Sequence, residues 1–128
     1  SLGAFFRQYY RYARGDGKAD LWRKRHAMRY IAYAQLLTTL ACWLAPAGPR
    51  HRRGVLGLTL LSVFGAMAYL VAPYRRLLPA LAGARLTDRV LMLALVPVIR
   101  LVGDAAKMAG YPAGWVWRIR RRPEPWRT

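Results

Sequence analysis

The sequence predicts an all-α membrane fold: an amphipathic interfacial helix, a two-helix transmembrane hairpin, a third, partly inserted helix and a basic tail. Three observations lead there. The 128 residues are 55% apolar yet carry 22 Lys and Arg against 5 Asp and Glu, a net charge of +17. These charged and apolar residues are segregated into blocks, not mixed as they are between the surface and core of a soluble domain. Two of the blocks hold no charged residue and have the length of a bilayer crossing, about 20 residues.

The hairpin comes from those two blocks. Residues 30–48 read YIAYAQLLTTLACWLAPAG, and residues 54–74 read GVLGLTLLSVFGAMAYLVAPY. Arg29 precedes the first, Arg50, Arg52 and Arg53 separate the two, and Arg75 and Arg76 come after the second. Long arginine side chains at such ends can snorkel to lipid phosphates. Tyr30, Tyr33 and Trp43 lie near the ends of the first block, as interfacial aromatics do. So short a chain has too little else to cover two fully apolar helices in a soluble core. Within the hairpin, Thr38 and Thr39 are expected to bond back to helix carbonyls and Cys42 to pack as a small residue. Ser62 and Ala66 have the small-x-x-x-small spacing of close helix contact.

The third helix is less regular. Residues 90–99, VLMLALVPVI, are too few to cross and include Pro97. Apolar character resumes from Leu101 to Tyr111, so a third span and a helix lying in the interface both remain open, and partial insertion is the expectation. Arg100 and Asp104 stand at i and i+4, and Asp104 and Lys107 at i and i+3. On a helix they share a face as a structural ion cluster. Gly110-Tyr111-Pro112 is expected to end the block. Eight Lys or Arg precede Tyr30 and only three separate the blocks. Residues 1–29 and the stretch around Arg75, Arg76, Arg85 and Arg89 should therefore be cytoplasmic. The basic tail, with Arg118, Arg120, Arg121, Arg122 and Arg127, prefers the same side. The organisation is thus 1–29 interfacial, 30–76 hairpin, and 77–128 third helix and tail.

The interfacial helix is read from residues 2–14, LGAFFRQYYRYAR. Phe5, Tyr9 and Tyr12 fall at i, i+4 and i+7, and Arg7, Arg11 and Arg14 repeat that spacing on another side. Such a helix lies with its rings among the acyl-chain tops, and Arg7 and Arg14 reach lipid phosphates. Gly15-Asp16-Gly17 is expected to break it, with Asp16 a turn residue. Asp20 is expected to cap a second short helix through Leu21, Trp22 and His26. No apolar stretch of the signal-peptide kind precedes Arg29. The lack of an initiator Met reads as a piece of a longer chain.

Several chemistries are excluded. Cys42 is the only cysteine, so there is no disulfide framework, and with His26 and His51 it has no zinc-ligand spacing. There is no phosphate-cradling glycine loop, Ser/His/Asp set or Cys/His pair. A pI near 11.5 with interleaved aromatics would suit single-stranded nucleic acid. The charge brackets the apolar blocks, however, so lipid headgroups account for it and no nucleic-acid partner is expected. One set stands out. Gln8 and Arg11 lie at i and i+3 with Tyr12 beside them: an amide for a hydroxyl, a forked guanidinium for a diphosphate and a ring for a sugar face.

Residues 8–12, QYYRY, resemble the QxxRW motif of membrane-bound family 2 glycosyltransferases, with Tyr12 in place of Trp. The string RQYYRYARGDGKADLW, continued by RKRHAMRY and an apolar span, is similar to the segment C-terminal to the catalytic domain in bacterial members. RLVGDAAKMAGYPAG resembles the end of such proteins. The resemblance implies that Arg11 approaches a nucleotide diphosphate, that Tyr12 contacts the acceptor and that Gln8 supports them. It implies the C-terminal, membrane-anchoring and acceptor-side portion of an enzyme that moves sugar from a nucleotide-sugar donor to a lipid or polysaccharide acceptor. The partners would be the lipid bilayer, donor, acceptor and an upstream glycosyltransferase domain. That upstream domain would hold an Asp-x-Asp motif and a divalent metal, Mg or Mn. No catalytic residue, metal or cofactor is expected in this chain, whose acids Asp16, Asp20, Asp88, Asp104 and Glu124 form no Asp-x-Asp, so alone it should be inactive. The implied location is the bacterial inner membrane. The competing expectation is a non-enzymatic membrane adaptor or assembly subunit.

Overall fold

The computed structural model describes residues 1–45 and 48–121. Arg122 and Arg127 of the expected tail lie outside them, as does the Arg50 side chain. The described residues form four helices: α1 (Leu2–Ala19), α2 (Arg23–Leu44), α3 (Pro49–Leu81) and α4 (Leu86–Arg121).

Helix α1 starts where the Ser1 hydroxyl accepts the Ala4 N–H at 3.4 Å, an N-cap. It does not break at Gly15-Asp16-Gly17, as the sequence suggested, but runs on to Ala19. An interior glycine costs a helix about 1 kcal/mol, and here the backbone at Gly17 is pressed against α4, a contact no larger residue would permit. The helix closes at Asp20, whose backbone is left-handed (φ 57°, ψ 40°). A short polar side chain tolerates that region. The Asp16 carbonyl accepts the N–H groups of Asp20 and Leu21, the latter at 2.8 Å. Asp20 therefore ends α1, and its carboxylate is held by the side chain of Arg23, the first residue of α2.

The long helices also pass their expected ends. α3 takes Pro49 in its first turn, where no N–H is needed. It continues past Arg75 and Arg76, through Pro73 and Pro79, to Leu81. α4 passes Pro97 and the Gly110-Tyr111-Pro112 sequence to Arg121, 36 residues in all. Gly110 is there for a helix contact, and the expected turn is absent.

The chain forms two compact units, one from Ser1–Arg29 with the chain from Val98, the other from Tyr30–Pro97. The second unit is polar inside and apolar outside. α2 and α3 run antiparallel. Gln35 Nε2 donates to Ser62 Oγ (2.7 Å), the Leu58 carbonyl (3.1 Å) and Thr39 Oγ1 (3.2 Å). Trp43 Nε1 donates to Thr59 Oγ1 at 3.0 Å, and His51 Nε2 to the Cys42 carbonyl at 2.9 Å. Thr38, Thr39 and Ser62 bond back to carbonyls of their own helices. Leu37 and Phe64, in contrast, are about two-thirds exposed. Water would penalise that inversion, whereas hydrocarbon suits it, because among the described residues no buried side-chain polar atom is left unpaired.

Among the described residues one helix is long and apolar enough to cross a membrane: α3 over His51–Leu81, with 6% of its most apolar stretch buried. The uncharged part of α2 stops at Leu44. Residues 30–44 extend about 22 Å as helix, against a hydrocarbon core of about 30 Å. Gln35→Leu should weaken the α2–α3 pairing by about 1 kcal/mol, since Thr39 and Ser62 keep their backbone bonds. Denaturant unfolding in detergent micelles checks this.

Candidate functional site

The first unit packs α1 on α4 through small residues. Gly17 of α1 faces the backbone of Tyr111, Gly114 and Trp115 on α4, and Gly110 and Gly114 face the carbonyls of Tyr10 and Arg14. Ala13 and Ala106 are buried to 1% and 0% exposure in the same seam. Ala13 and Gly17 are four apart, as are Ala106, Gly110 and Gly114, so each pair or triplet lines one helix face. Phe5 lies against Gly103 and packs on Tyr9 with the rings tilted by 43°, 4.4 Å between centroids. Phe5 and Tyr9 are therefore half-buried in protein contact, where the sequence suggested acyl chains.

Packing that face on α4 turns the other face of α1 outward. Ala4, Arg7, Gln8, Arg11 and Tyr12 line one open surface groove. Gln8 Nε2 donates to the Tyr12 hydroxyl at 3.0 Å. Tyr9 meets the Tyr12 ring edge-on at 6.2 Å, and the Lys107 ammonium sits 4.8 Å above Tyr9. Tyr12 is thus fixed from two sides yet 60% exposed. Gln8, Arg11 and Tyr12 thus share one face with Arg7. Arg14, Arg75 and Arg76 are also exposed.

Where α1, the start of α2 and α4 meet lies a buried set of charged groups that sequence spacing did not reveal. Arg29 turns inward instead of reaching the membrane interface expected for it. Its Nε donates to Asp104 Oδ1 at 2.8 Å, with the two side chains only 18% and 5% exposed. A carboxylate that deep requires a counter-charge, which explains the turn. His26, 3% exposed, stacks on Tyr111 at 3.9 Å between centroids. Arg29 Nη1 lies 3.2 Å from His26 Nδ1, and Asp16 Oδ2 lies 3.4 Å from His26 Nε2. A guanidinium only donates, so Nδ1 accepts and the ring proton sits on Nε2, aimed at Asp16. Asp16 is thereby a helical hydrogen-bond partner and not the turn residue expected.

Burial, and the neighbouring Arg29, push the His26 imidazole below its ordinary range, although the Asp16 bond works the other way. Burial first, and then Arg29, likewise lower the Lys107 ammonium. The expected Arg100, Asp104 and Lys107 set occupies one stretch of α4, with Asp104 joined to Arg29 and Lys107 over Tyr9.

The chain ends of this unit are pinned by arginine and tryptophan. Arg23 grips Asp20 with both Nε and Nη2, and Arg118 Nη1 donates to the Lys18 carbonyl at 3.2 Å. Lys18 lies 4.5 Å above Trp117, and Arg23 5.4 Å above Trp115. Among the described residues no three His, Cys, Asp or Glu side chains come together as a metal would need. Comparison with family models, curated proteins and solved structures finds no match to this chain.

Proposed function

We propose that the chain is the membrane-anchoring, acceptor-side portion of a family 2 glycosyltransferase, working with a nucleotide-sugar domain outside these residues. One observation supports this reading above the others: Gln8, Arg11 and Tyr12 share one exposed groove while the opposite face of α1 is packed on α4. A helix held this way presents a guanidinium, an amide and a propped ring to something beyond the chain. Arg11 supplies paired donors for a diphosphate, Tyr12 offers its face to the acceptor, and Gln8 holds Tyr12. In this reading α2 and α3 form the hairpin in a bacterial inner membrane, with α1 at its cytoplasmic surface and α4 partly inserted. Catalytic carboxylates and a divalent metal, Mg or Mn, belong to the other domain.

The test uses the complete protein in native membranes with nucleotide-sugar donors. Arg11→Ala should lower kcat/KM for sugar transfer about a hundredfold, the size of a charge-assisted contact to a reacting phosphate. Arg14→Ala and Arg75→Ala, exposed and outside the groove, should change it less than threefold. Equal losses in all three would reduce the face to lipid binding. No transfer by the wild-type protein with any donor would favour the adaptor reading.

A further inference from the structure

The groups around His26 form a device of their own. The ring belongs to α2, its Nε2 faces Asp16 of α1, its flat face lies on Tyr111 of α4, and its Nδ1 accepts from Arg29. Three helices meet on one imidazole. Arg29 in turn reaches Asp104 of α4, and Lys107 of α4 adds another cation near enough to act on the ring. The charged groups facing His26 are therefore Asp16 from α1, Arg29 from α2, and Lys107 from α4, with Asp104 behind Arg29.

We infer that His26 is a proton-sensitive latch that holds α1 against α2 and α4 while its ring is neutral and releases α1 when the ring is protonated. Only the neutral ring can accept the Arg29 N–H. Adding a proton to Nδ1 turns acceptor into donor and sets two cations 3.2 Å apart. Asp16, 3.4 Å from Nε2, offsets that repulsion, so what stands against the charged ring is chiefly its burial, at 3% exposure. Arg29 is itself tied, through Nε, to Asp104, which is 3% exposed. A charged ring is therefore relieved by water, which reaches Nε2 when α1, otherwise held to α4 by glycine and alanine contacts, moves aside.

Linkage gives the direction of the pH effect. Burial favours the neutral ring in the folded unit, so the unfolded chain takes up the proton more readily. The latch is fully engaged above the ordinary imidazole range, near pH 6.5, and loses strength as pH falls below it. The contact under test does not depend on the glycosyltransferase reading.

Hydrogen exchange by mass spectrometry on the whole chain in zwitterionic nanodiscs tests it. After correction for intrinsic rates, protection of α1 amides should fall about tenfold between pH 7.5 and 5.0, the effect of one lost charge-assisted hydrogen bond. The sequence has two histidines, His26 and His51. His26→Gln should abolish the pH dependence, and His51→Gln should leave it intact. Flat protection in the wild type, or an unchanged fall in His26→Gln, overturns the latch. If His26→Gln does not fold, titration of the His26 ring proton resonance in His51→Gln decides. A midpoint below the ordinary imidazole range supports the latch, and one at or above it overturns it.

Discussion

Replacing Gly114 with leucine separates α1 from α4. A Cβ at Gly114 would lie 2.9 Å from both Gly17 Cα and the Lys18 nitrogen, and would run into the Arg14 carbonyl. All three are backbone, which cannot swing aside as a flexible side chain can. Overpacking of ordinary cores costs about 1–3 kcal/mol, and a backbone clash across the whole seam should reach about 3 kcal/mol or more. Limited trypsin digestion in detergent reads this out, because α1, once free of α4, can unwind and offer the backbone at its already exposed Arg7, Arg11 and Arg14 to the protease. Gly65→Leu is the control, since nothing lies within 4 Å of a Cβ there. Equal digestion of the two variants would contradict the seam.

The second large effect concerns Arg29. Arg29→Leu should destabilise the first unit by about 3–5 kcal/mol, because it takes from the buried Asp104 carboxylate the cation bonded to it at 2.8 Å. Asp104→Asn should cost less, as the shape is kept and the 18% exposed Arg29 can still reach water. The double variant Arg29→Leu with Asp104→Asn should recover much of the loss, because no buried charge is then left to pair. Chemical unfolding of the four proteins in one detergent supplies the cycle, and additive losses would mean that the two residues are not coupled.

Much of the helical content was legible because it depends on neighbours in sequence. The two charge-free blocks, the spacing of Phe5 with Tyr9 and of Gln8 with Arg11 and Tyr12, and the back-bonding threonines are all local patterns. The partner of each face was not local. The rings of α1 pack on α4, and only the Ala106, Gly110 and Gly114 spacing hints at a slot to receive them. That signal was present, matched by Ala13 and Gly17, yet Gly15-Asp16-Gly17 and Gly110-Tyr111-Pro112 also carry the composition of turns. Glycine supplies both flexibility and closeness, and composition does not tell the two apart. Arg29 with Asp104, 75 residues apart, and His26 with Asp16 on a different helix, obey no spacing rule. The groove residues were found because a single helix presents all of them.

The seam between α1 and α4 also sets how this unit responds to temperature. Among the described residues no large side chain is fully buried. Separating the two helices uncovers mainly peptide groups, with the half-buried rings of Phe5 and Tyr9 the chief apolar gain. Exposed apolar area raises heat capacity and exposed polar area lowers it, so the two nearly cancel here. The free energy of docking should then vary almost linearly with temperature, without the curvature that weakens oil-like cores in the cold.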